Sequence, residues 1–456
     1  MLFNKTPLIQ FYEKIYNDLS PYKFGGYFKF LSPVLVLRDP EIIKNICTKD
    51  FSYFTDHFND DADENEPFEH HLFKLRGQKW KILRNELSQT FTARKIKLMF
   101  NLLKNHTRDL LEVIDKMSEN GQLIEMREIM TRYTMDIITS CIFGFESNSL
   151  KDPNSLFRTM AEKAISPQRF IINSIDQVFP KLRKLLRLSL SEKKLTGFFT
   201  SIVSNNIKYR EENNVSRDDF IDLLMVLKKK KFLNYKTKDN VEKKIEFTDE
   251  LLTAQCLFFY LAGIETSAGT LTFALYELAK HEDIQRKLFN EVEKITNEDE
   301  ELSYESLQKM TYLEQIINET LRMYPIVPFL NRVCNRDYLL EDNVLIEKGT
   351  RIIVPVAGLH HDPQYYENPT EFNPENFSKE AKEQRHRYVY LPFGEGPRMC
   401  LGMRMAFTQV KLGLAAIIRN YKVFLSSKRN GPFKFRKFAL LTQKEGGVWL
   451  TFSKRM

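Results

Sequence analysis

One cysteine, Cys400, lies in a short run that is dense in glycine and proline. The run extends from Phe393 to Gly402 and reads Phe-Gly-Glu-Gly-Pro-Arg-Met-Cys-Leu-Gly. Because turn residues this dense fix the backbone, we expect Cys400 to lie at the end of a rigid loop. The residues that follow, Met403 to Arg419, predict a helix whose first turn favours a thiolate over a thiol. A thiolate held in this way is suited to bind iron.

A second motif pairs an acid with an arginine. Glu319 and Arg322 are three residues apart in a helical segment and therefore share one face. Arginine is suited to a buried bidentate contact with a carboxylate, although a surface ion pair is the commoner outcome of this spacing. The pair lies ahead of the cysteine run and just before Tyr324-Pro325, which favours the buried alternative.

A third motif interrupts an apolar helix with small and polar residues, from Ala262 to Ser267. Gly263 weakens a helix relative to alanine, and Thr266 can donate to the carbonyl of Ala262 and bend the helix. Two interpretations stay open. The motif is either a kink at a point of close packing, or a groove for a small ligand in which Glu265 and Thr266 relay protons.

The elements that must position these motifs are mostly helices. Loops dominate from His360 to Gly402, ahead of the final helix. The pattern predicts helices at 39–47, repeatedly within 80–165, at 251–281, at 305–323 and at 403–419, with short strands at 34–37, 332–338, 344–346, 350–356 and 448–452. We therefore expect a mainly α fold with a small β portion (α+β), in one domain over residues 1–456.

Composition excludes several classes of protein. The 456 residues are 43% hydrophobic and 28% charged, which supports a folded core. The net charge of +8 suits an acidic protein partner or an anionic membrane, and is too weak to indicate nucleic acid. Five scattered cysteines without CxxC spacing argue against disulfides and zinc, and fit a reducing compartment.

Two basic segments have alternative interpretations. The run from Lys181 to Leu190 mixes basic and apolar residues, and predicts a surface helix or a helix that contacts a membrane. The lysine-rich run from Lys228 to Lys244 has few large apolar residues, and we expect it to be a solvated loop.

In this order and spacing the three motifs resemble the cytochrome P-450 haem-thiolate monooxygenases. Further matches extend the resemblance over nearly the whole chain: Trp80 to Arg84, His360 to Pro363 and Phe372 to Phe377, with Phe220 to Leu224, Phe247 to Leu251 and Gly402 to Arg404 similar to insect microsomal xenobiotic-metabolising members. The resemblance implies the cytochrome P-450 fold, a helix-rich domain with a minor β-sheet around haem b. It also implies insertion of one oxygen atom from O2 into a lipophilic small molecule.

The resemblance assigns roles to individual residues. Cys400 is expected to be the axial ligand of the haem iron, where its electron density favours O–O cleavage. Phe393 would pack near the sulfur, and the loop amides around Gly394 would tune its potential. The residues expected to bind the haem propionates are Trp80, Arg84, Arg332 and Arg398.

On the other side of the cofactor, Ala262 and Gly263 are expected to leave room for dioxygen. Thr266, with Glu265, is expected to help deliver the protons that the reaction consumes. Glu319 and Arg322 are expected to be structural, holding their helix to the loop that shapes the haem pocket.

The chain departs from the family pattern at three places. Relatives often carry an arginine at the position of Asn376, where it completes a triad with Glu319 and Arg322. Because Asn376 has no charge, we expect the helix to hold this loop less strongly here. Relatives also often carry an arginine at the position of His57, so one propionate contact is in doubt. Microsomal members begin with an apolar membrane anchor, so we expect this sequence to be trimmed and the protein to lie on the cytosolic face of the endoplasmic reticulum membrane.

The expected partners follow from the same resemblance. No glycine-rich dinucleotide motif follows a strand, so electrons are expected from a separate NADPH-dependent reductase, with cytochrome b5 as a further possibility. Candidates for its docking face are Lys79, Lys81, Lys95, Lys97, Arg404 and Lys411. The lipophilic substrate is expected to bind in an apolar pocket whose roof is formed by residues 57–72 and 170–190. The expected lining residues are Phe258, Phe259, Ala262, Ile326, Val327, Phe329, Leu440 and Leu441.

Three alternatives to a monooxygenase remain. A haem-thiolate enzyme could isomerise or dehydrate a peroxide without a reductase, a haem-binding sensor or carrier could work without turnover, and the chain could be an inactive fragment. The presence of Thr266 and Glu265 favours the monooxygenase over the first two, because neither needs a proton relay.

Overall fold

The computed structural model describes residues 6–29, 32–57, 67–119, 121–152, 154–164, 193–236, 242–299, 301–427 and 429–455. Helices dominate this part of the chain. They span Leu8–Asp18, Pro40–Lys44, Gly77–Ser88, Ala93–Glu119, Met126–Phe143, Leu156–Ala164, Lys193–Asn213, Phe220–Lys230, Asp249–Lys280, Glu282–Asp299, Tyr304–Lys309, Thr311–Met323, Val356–His360, Lys379–Gln384 and Met403–Asn420. The prediction of a mainly α fold is confirmed.

The strands form small sheets. One sheet has the order Phe24–Lys29, Ser32–Leu37, Arg351–Val354, Leu330–Val333, and only its middle pair is parallel. A second has the order Tyr421–Leu425, Trp449–Lys454, Ile124–Glu125, and two hairpins pair Phe232–Lys236 with Glu242–Glu246 and Tyr338–Leu339 with Leu345–Ile346. Four of the predicted strands have a counterpart here, within a few residues at their ends. The strand predicted at 332–338 is wrong as one element, because Leu330–Val333 and Tyr338–Leu339 are separate strands in different sheets.

The chain divides into two compact units. The first contains Met1–Thr55, Leu103–Tyr133 and Glu265–Met456, and the second contains Asp56–Leu102 and Thr134–Ile264. The first unit carries the four-stranded sheet, whose core includes Val36, Leu37 and Ile352, all fully buried. A single domain over residues 1–456 stays a prediction.

The helix Asp249–Lys280, called the long helix below, is unusually apolar. Among the described residues it alone is long and apolar enough to cross a membrane, yet 67% of its most apolar window is buried inside the protein. Burial of this extent is typical of a core helix, as the sequence predicts.

Two local predictions need correction. Over its described residues, the lysine-rich run is not a loop: the helix Phe220–Lys230 continues into it, and the paired strands Phe232–Lys236 and Glu242–Glu246 follow. The alternation of side chains in the hairpin places Leu233 opposite Ile245, and Ile245 is buried while Lys243 and Lys244 are exposed. The helix predicted to run through Cys47 is α-helical only over Pro40–Lys44, and a π-helical turn follows at Asn45–Lys49.

Candidate active site

The run Phe393–Gly402, called the cysteine loop below, is held mainly by backbone contacts. The amide of Cys400 donates to the carbonyl of Phe393 at 2.8 Å, and the amide of Met399 donates to that of Gly396 at 2.9 Å. Gly394 and Gly396 adopt φ angles of 70° and 79°, which other residues rarely tolerate. Gly402 caps the helix Met403–Asn420, so Cys400 lies at the predicted junction of loop and helix.

Gly396 also allows a close backbone approach. A Cβ atom at this position would lie 2.0 Å from the carbonyl oxygen of Cys47, so only glycine fits without displacement. The loop is therefore fixed from within by its turns and from outside by the segment that carries Cys47.

Cys400 differs from the other four cysteines. It is exposed, whereas Cys47, Cys141, Cys256 and Cys334 are buried. Burial raises the pKa of all four buried thiols, which keeps them protonated at neutral pH. Cys400 is thus the cysteine whose sulfur is accessible to a ligand.

The pair Glu319–Arg322 is buried and bidentate. Both side chains are fully buried, and Arg322 Nε and Nη2 donate to the two carboxylate oxygens of Glu319 at 2.7 Å each. Arg322 also donates to the backbone carbonyls of His360 at 3.1 Å, Pro369 at 2.8 Å and Glu371 at 3.0 Å. Of the two alternatives, the buried bidentate contact is therefore the one observed. Arg322 also holds the backbone of the segment from His360 to Glu371.

Asn376 joins this cluster without bringing a charge. Its Nδ2 donates to Glu319 Oε1 at 3.1 Å, and the amide of Asn373 donates to the same oxygen at 2.9 Å. The amide side chain thus retains a hydrogen bond at the position where the family often has an arginine.

Two further arginines of the first unit are suited to hold an anionic group. Arg332 is 3% exposed, its Nη1 donates to the carbonyl of Asn331 at 2.7 Å, and its Nε has no hydrogen-bond partner within the described residues. Burial lowers the pKa of Arg332. Arg398 is also buried, and its Nε donates to the carbonyl of Thr55 at 2.8 Å. A buried guanidinium with an unsatisfied donor fits a carboxylate such as a haem propionate.

The predicted tryptophan–arginine pair lies in the second unit, on the helix Gly77–Ser88. Trp80 is 4% exposed, and the Arg84 guanidinium carbon lies 5.9 Å from the centroid of the Trp80 ring. Buried Asp56 accepts from the amide of Gly77 at 3.0 Å and so fixes the start of this helix. His57 is stacked on Phe73, with ring centroids 4.1 Å apart.

The middle of the long helix combines close packing with an exposed position. In the second unit, a Cβ atom at Gly263 would lie 2.8 Å from Ile138 Cδ1, and Thr134 Oγ1 donates to the carbonyl of Ile264 at 3.1 Å. Close packing, the alternative to a ligand groove, therefore applies on this side of Gly263. Ala262, in contrast, is exposed in the middle of this core helix.

In the first unit, the polar residues of the same helix are bound by side chains from distant parts of the chain. Arg127 Nη2 donates to Glu265 Oε2, and Gln409 Nε2 donates to Ser267 Oγ. Thr266 is half-buried, and its carbonyl accepts from Thr270 Oγ1 at 2.9 Å. Sequence reasoning missed Arg127, because nothing in the sequence links it to a residue 138 positions away.

The predicted apolar lining residues are placed unequally. In the second unit Phe258 is stacked on His71 at 4.6 Å, and Phe259 is buried. In the first unit Phe329 is stacked on Tyr12 at 4.5 Å and so contributes to packing. The remaining first-unit residues are Ile326 and Leu441, which are buried or half-buried, and Val327 and Leu440, which are exposed. The predicted roof lies outside the described residues at 58–66 and 170–190, as does the predicted basic helix 181–190.

Gln255 is a further residue that sequence reasoning left without a role. Its Oε1 accepts from the amide of Leu72 at 2.8 Å, and its Nε2 donates to the carbonyl of His70 at 3.0 Å. The side chain therefore binds the predicted roof segment to the long helix. The sequence does contain an indication of this role, because Gln255 is a polar residue within an apolar stretch.

The predicted docking lysines need one correction. Lys411 is buried, and its Nζ donates to Glu314 Oε2 at 2.8 Å and to the carbonyl of Leu307 at 3.2 Å, so it cannot form part of a surface. Its position on the inner face of the helix Met403–Asn420 is the reason. Lys79, Lys81, Lys97 and Arg404 are exposed, and Lys95 is paired with Asp218.

Comparisons with known proteins show the family of this chain. The model of the family "Cytochrome P450" matches residues 20–451. Cytochrome P450 6a2 of Drosophila melanogaster is 38% identical over 450 residues, which cover 96% of this chain and 88% of the relative. Cytochrome P450 9e2 of Blattella germanica is 36% identical over 481 residues, covering 100% and 90%, and cytochrome P450 6k1 of the same species is 37% identical over 444 residues, covering 94% and 84%.

Proposed function

Because this chain belongs to the cytochrome P450 family, and is a monooxygenase with a haem-thiolate cofactor, we propose that Cys400 supplies the thiolate. The observation that carries the proposal is the contrast among the cysteines: four are buried thiols, and Cys400 is exposed in a loop fixed by two glycines. When bound, haem supplies the iron at which dioxygen is activated for transfer of one oxygen atom to the substrate.

The residues around the cofactor divide into three groups by what they would do. Arg332 and Arg398 of the first unit, and Trp80 and Arg84 of the second, would hold the propionates by charge-assisted and ring N–H hydrogen bonds. Phe393 would pack near the Cys400 sulfur, and the amides around Gly394 would point toward it and stabilise its negative charge. Ala262 and Gly263 would keep side-chain bulk away from the oxygen-binding side.

Thr266 would position a proton donor for the reaction, since its hydroxyl both donates and accepts hydrogen bonds. Glu265 would contribute from its place beside Thr266, in competition with its ion pair to Arg127. Glu319, Arg322 and Asn376 would act on the fold of the loop segment and not on the substrate.

The finer assignments complete the proposal. The substrate is a lipophilic small molecule, either a xenobiotic or an endogenous lipid or hormone, because the predicted lining is apolar and aromatic. Electrons come from an NADPH-dependent reductase, with cytochrome b5 as a second donor. Lys79, Lys81, Lys97 and Arg404 are exposed cations suited to an acidic partner. The protein acts at the cytosolic face of the endoplasmic reticulum membrane, as a microsomal enzyme.

The test of the thiolate is spectroscopic. Purified protein is reduced and treated with carbon monoxide, and the wild type is expected to give the strongly red-shifted Soret band of thiolate-bound haem. Cys400→Ser is expected to lose this band, while the control Cys141→Ala, at a buried cysteine of the second unit, keeps it. A red-shifted band that survives Cys400→Ser would refute the assignment.

The relay and the electron source are tested separately. Thr266→Ala is expected to keep the red-shifted band but to consume NADPH without forming an equivalent amount of product. If each NADPH consumed still gave one product molecule, the relay would be excluded.

Reversing the charge of Lys81 and Lys97 is expected to slow reduction by the reductase and to weaken the salt dependence of that reduction. An unchanged rate would exclude these lysines from the docking face.

A further inference from the structure

Arg385 contacts the cluster around Glu319 from outside the motif. Its Nη2 donates to the backbone carbonyl of Asn376 at 2.6 Å. Its guanidinium carbon lies 4.3 Å from the centroid of the Tyr366 ring and 5.0 Å from that of Phe377. Arg385 therefore binds both the backbone and the aromatic neighbours of the residue that stands where an arginine is often found.

Tyr366 links Arg385 to the buried ion pair. The guanidinium carbon of Arg322 lies 4.9 Å from the same Tyr366 ring, so both arginines lie within cation–π distance of it. Tyr366 is 1% exposed, and its hydroxyl has no hydrogen-bond partner within the described residues. The ring thus serves this site by its face and not by its hydroxyl.

A continuous set of contacts leads from Arg385 to the cysteine loop. Phe377, which Arg385 covers, packs on Tyr390 with ring centroids 4.5 Å apart. The hydroxyl of Tyr390 donates to the carbonyl of Asn318 at 2.9 Å, on the helix that carries Glu319 and Arg322. The next residue, Leu391, donates its amide to His360 Nε2 at 2.9 Å and accepts from the amide of Gly394 at 3.1 Å.

We propose that Arg385 is a positioning residue for the cysteine loop, and that it supplies from the end of the helix Lys379–Gln384 the cation that Asn376 lacks. It acts through the Asn376 carbonyl and the Tyr366 and Phe377 rings, so it holds the segment before the loop without touching cofactor or substrate. The inference rests on the proposed role of Cys400 as thiolate ligand.

The first experiment compares two charge deletions in one short helix. Arg385→Ala is expected to lower the midpoint of thermal unfolding by about 2–4 °C, and to speed haem transfer to apomyoglobin about tenfold. Lys382→Ala removes the same charge from an exposed position of this helix and is expected to change neither. Equal behaviour of the two variants would overturn the proposal.

The second experiment asks whether the cation can return to the other position. Asn376→Arg in the Arg385→Ala background is expected to restore both the unfolding midpoint and haem retention. Absence of rescue would show that the two positions do not exchange a charge and would overturn the proposal. This double variant also decides the question if Arg385→Ala alone gives no folded protein.

The third experiment measures the coupling through the ring. Tyr366→Leu is expected to lower the stability by as much as Arg385→Ala, and the double variant is expected to be little less stable than either single variant. Tyr366→Phe, which keeps the ring, is expected to change the stability very little. Additive losses would exclude Tyr366 as the link. Every variant in these comparisons keeps Cys400, so a failure of Cys400 in the carbon monoxide assay is distinguishable from a failure of Arg385.

Discussion

Two regions of the first unit carry the proposed chemistry, and they are held in place by different means. In the loop segment, residues 360–402, backbone groups make the decisive contacts: glycines with positive φ, the Cys47 carbonyl and the carbonyls bound by Arg322. In the long helix from Glu265 to Lys280, the backbone is regular, and side chains from distant parts of the chain bind Glu265 and Ser267. The cysteine loop should therefore be sensitive to backbone shape, and the long helix to the loss of its side-chain partners.

The largest expected effect tests Arg322, whose side chain binds three backbone carbonyls of the loop segment. Arg322→Ala leaves the fully buried Glu319 carboxylate without its cation and frees three backbone carbonyls. We expect a loss of about 3–5 kcal/mol in the free energy of unfolding, measured by urea titration. The Arg322→Ala variant should also fail to retain haem.

The control for this prediction is a bidentate arginine–glutamate pair whose arginine is exposed. Arg387 donates to both carboxylate oxygens of Glu395, but its side chain is 73% exposed. Arg387→Ala should cost about 0–1 kcal/mol. Similar losses for the two variants would show that burial does not decide the role of Arg322.

The second prediction concerns backbone shape. Gly396→Ala places a methyl group 2.0 Å from the Cys47 carbonyl oxygen at a φ of 79°, so loop or neighbour must move. We expect a cost of about 3 kcal/mol and partial loss of the red-shifted Soret band. Gly402→Ala, in the same loop, meets no atom within 4 Å and should cost about 0.5 kcal/mol. Comparable losses would contradict a shape-limited loop.

These two regions also differ in how much the sequence reveals. Glycines, proline and the Glu319–Arg322 spacing impose local backbone demands, so the cysteine loop and the buried pair could be predicted from short motifs. The partners of Glu265 and Ser267 could not, because Arg127 and Gln409 are brought to them only by helix packing. Lys411 was misplaced for the same reason: a lysine in sequence does not reveal which face of its helix is buried. The hairpin after Lys230 was missed because lysines masked its alternation.

The third prediction tests the helix. Arg127→Ala removes the cation from Glu265, whose side chain is 12% exposed. We expect a loss of about 1–2 kcal/mol in stability, and a changed ratio of NADPH consumed to product, because Glu265 is released beside Thr266. Arg132→Ala breaks the pair with Glu128 on the same helix and should leave this ratio unchanged. If both variants show the wild-type ratio of NADPH consumed to product formed, Arg127 has no influence on proton delivery.

The smallest expected effect is a pH dependence at the end of the long helix. His281 lies 3.3 Å from buried Glu277, and its hydrogen bond to that carboxylate raises the pKa of His281 above 6.5. Burial alone would raise the pKa of Glu277, but hydrogen bonds from His281, Tyr324 and Lys280 outweigh it and hold that pKa below 4.5.

The signs of these shifts define a pH window. Stabilisation by protonated His281 is complete below about pH 6.5 and is lost as the pH rises through the higher pKa of the folded state. Stabilisation by ionised Glu277 is present above about pH 4.5 and is lost as the pH falls through the lower pKa of the folded state. The His281 side chain is 33% exposed, so solvent reduces its share to a few tenths of a kcal/mol. The unfolding midpoint of the wild type should therefore decline slightly above pH 6.5, and more steeply than that of His281→Gln. Parallel curves for the two proteins would mean that the charge of His281 does not stabilise this end of the helix.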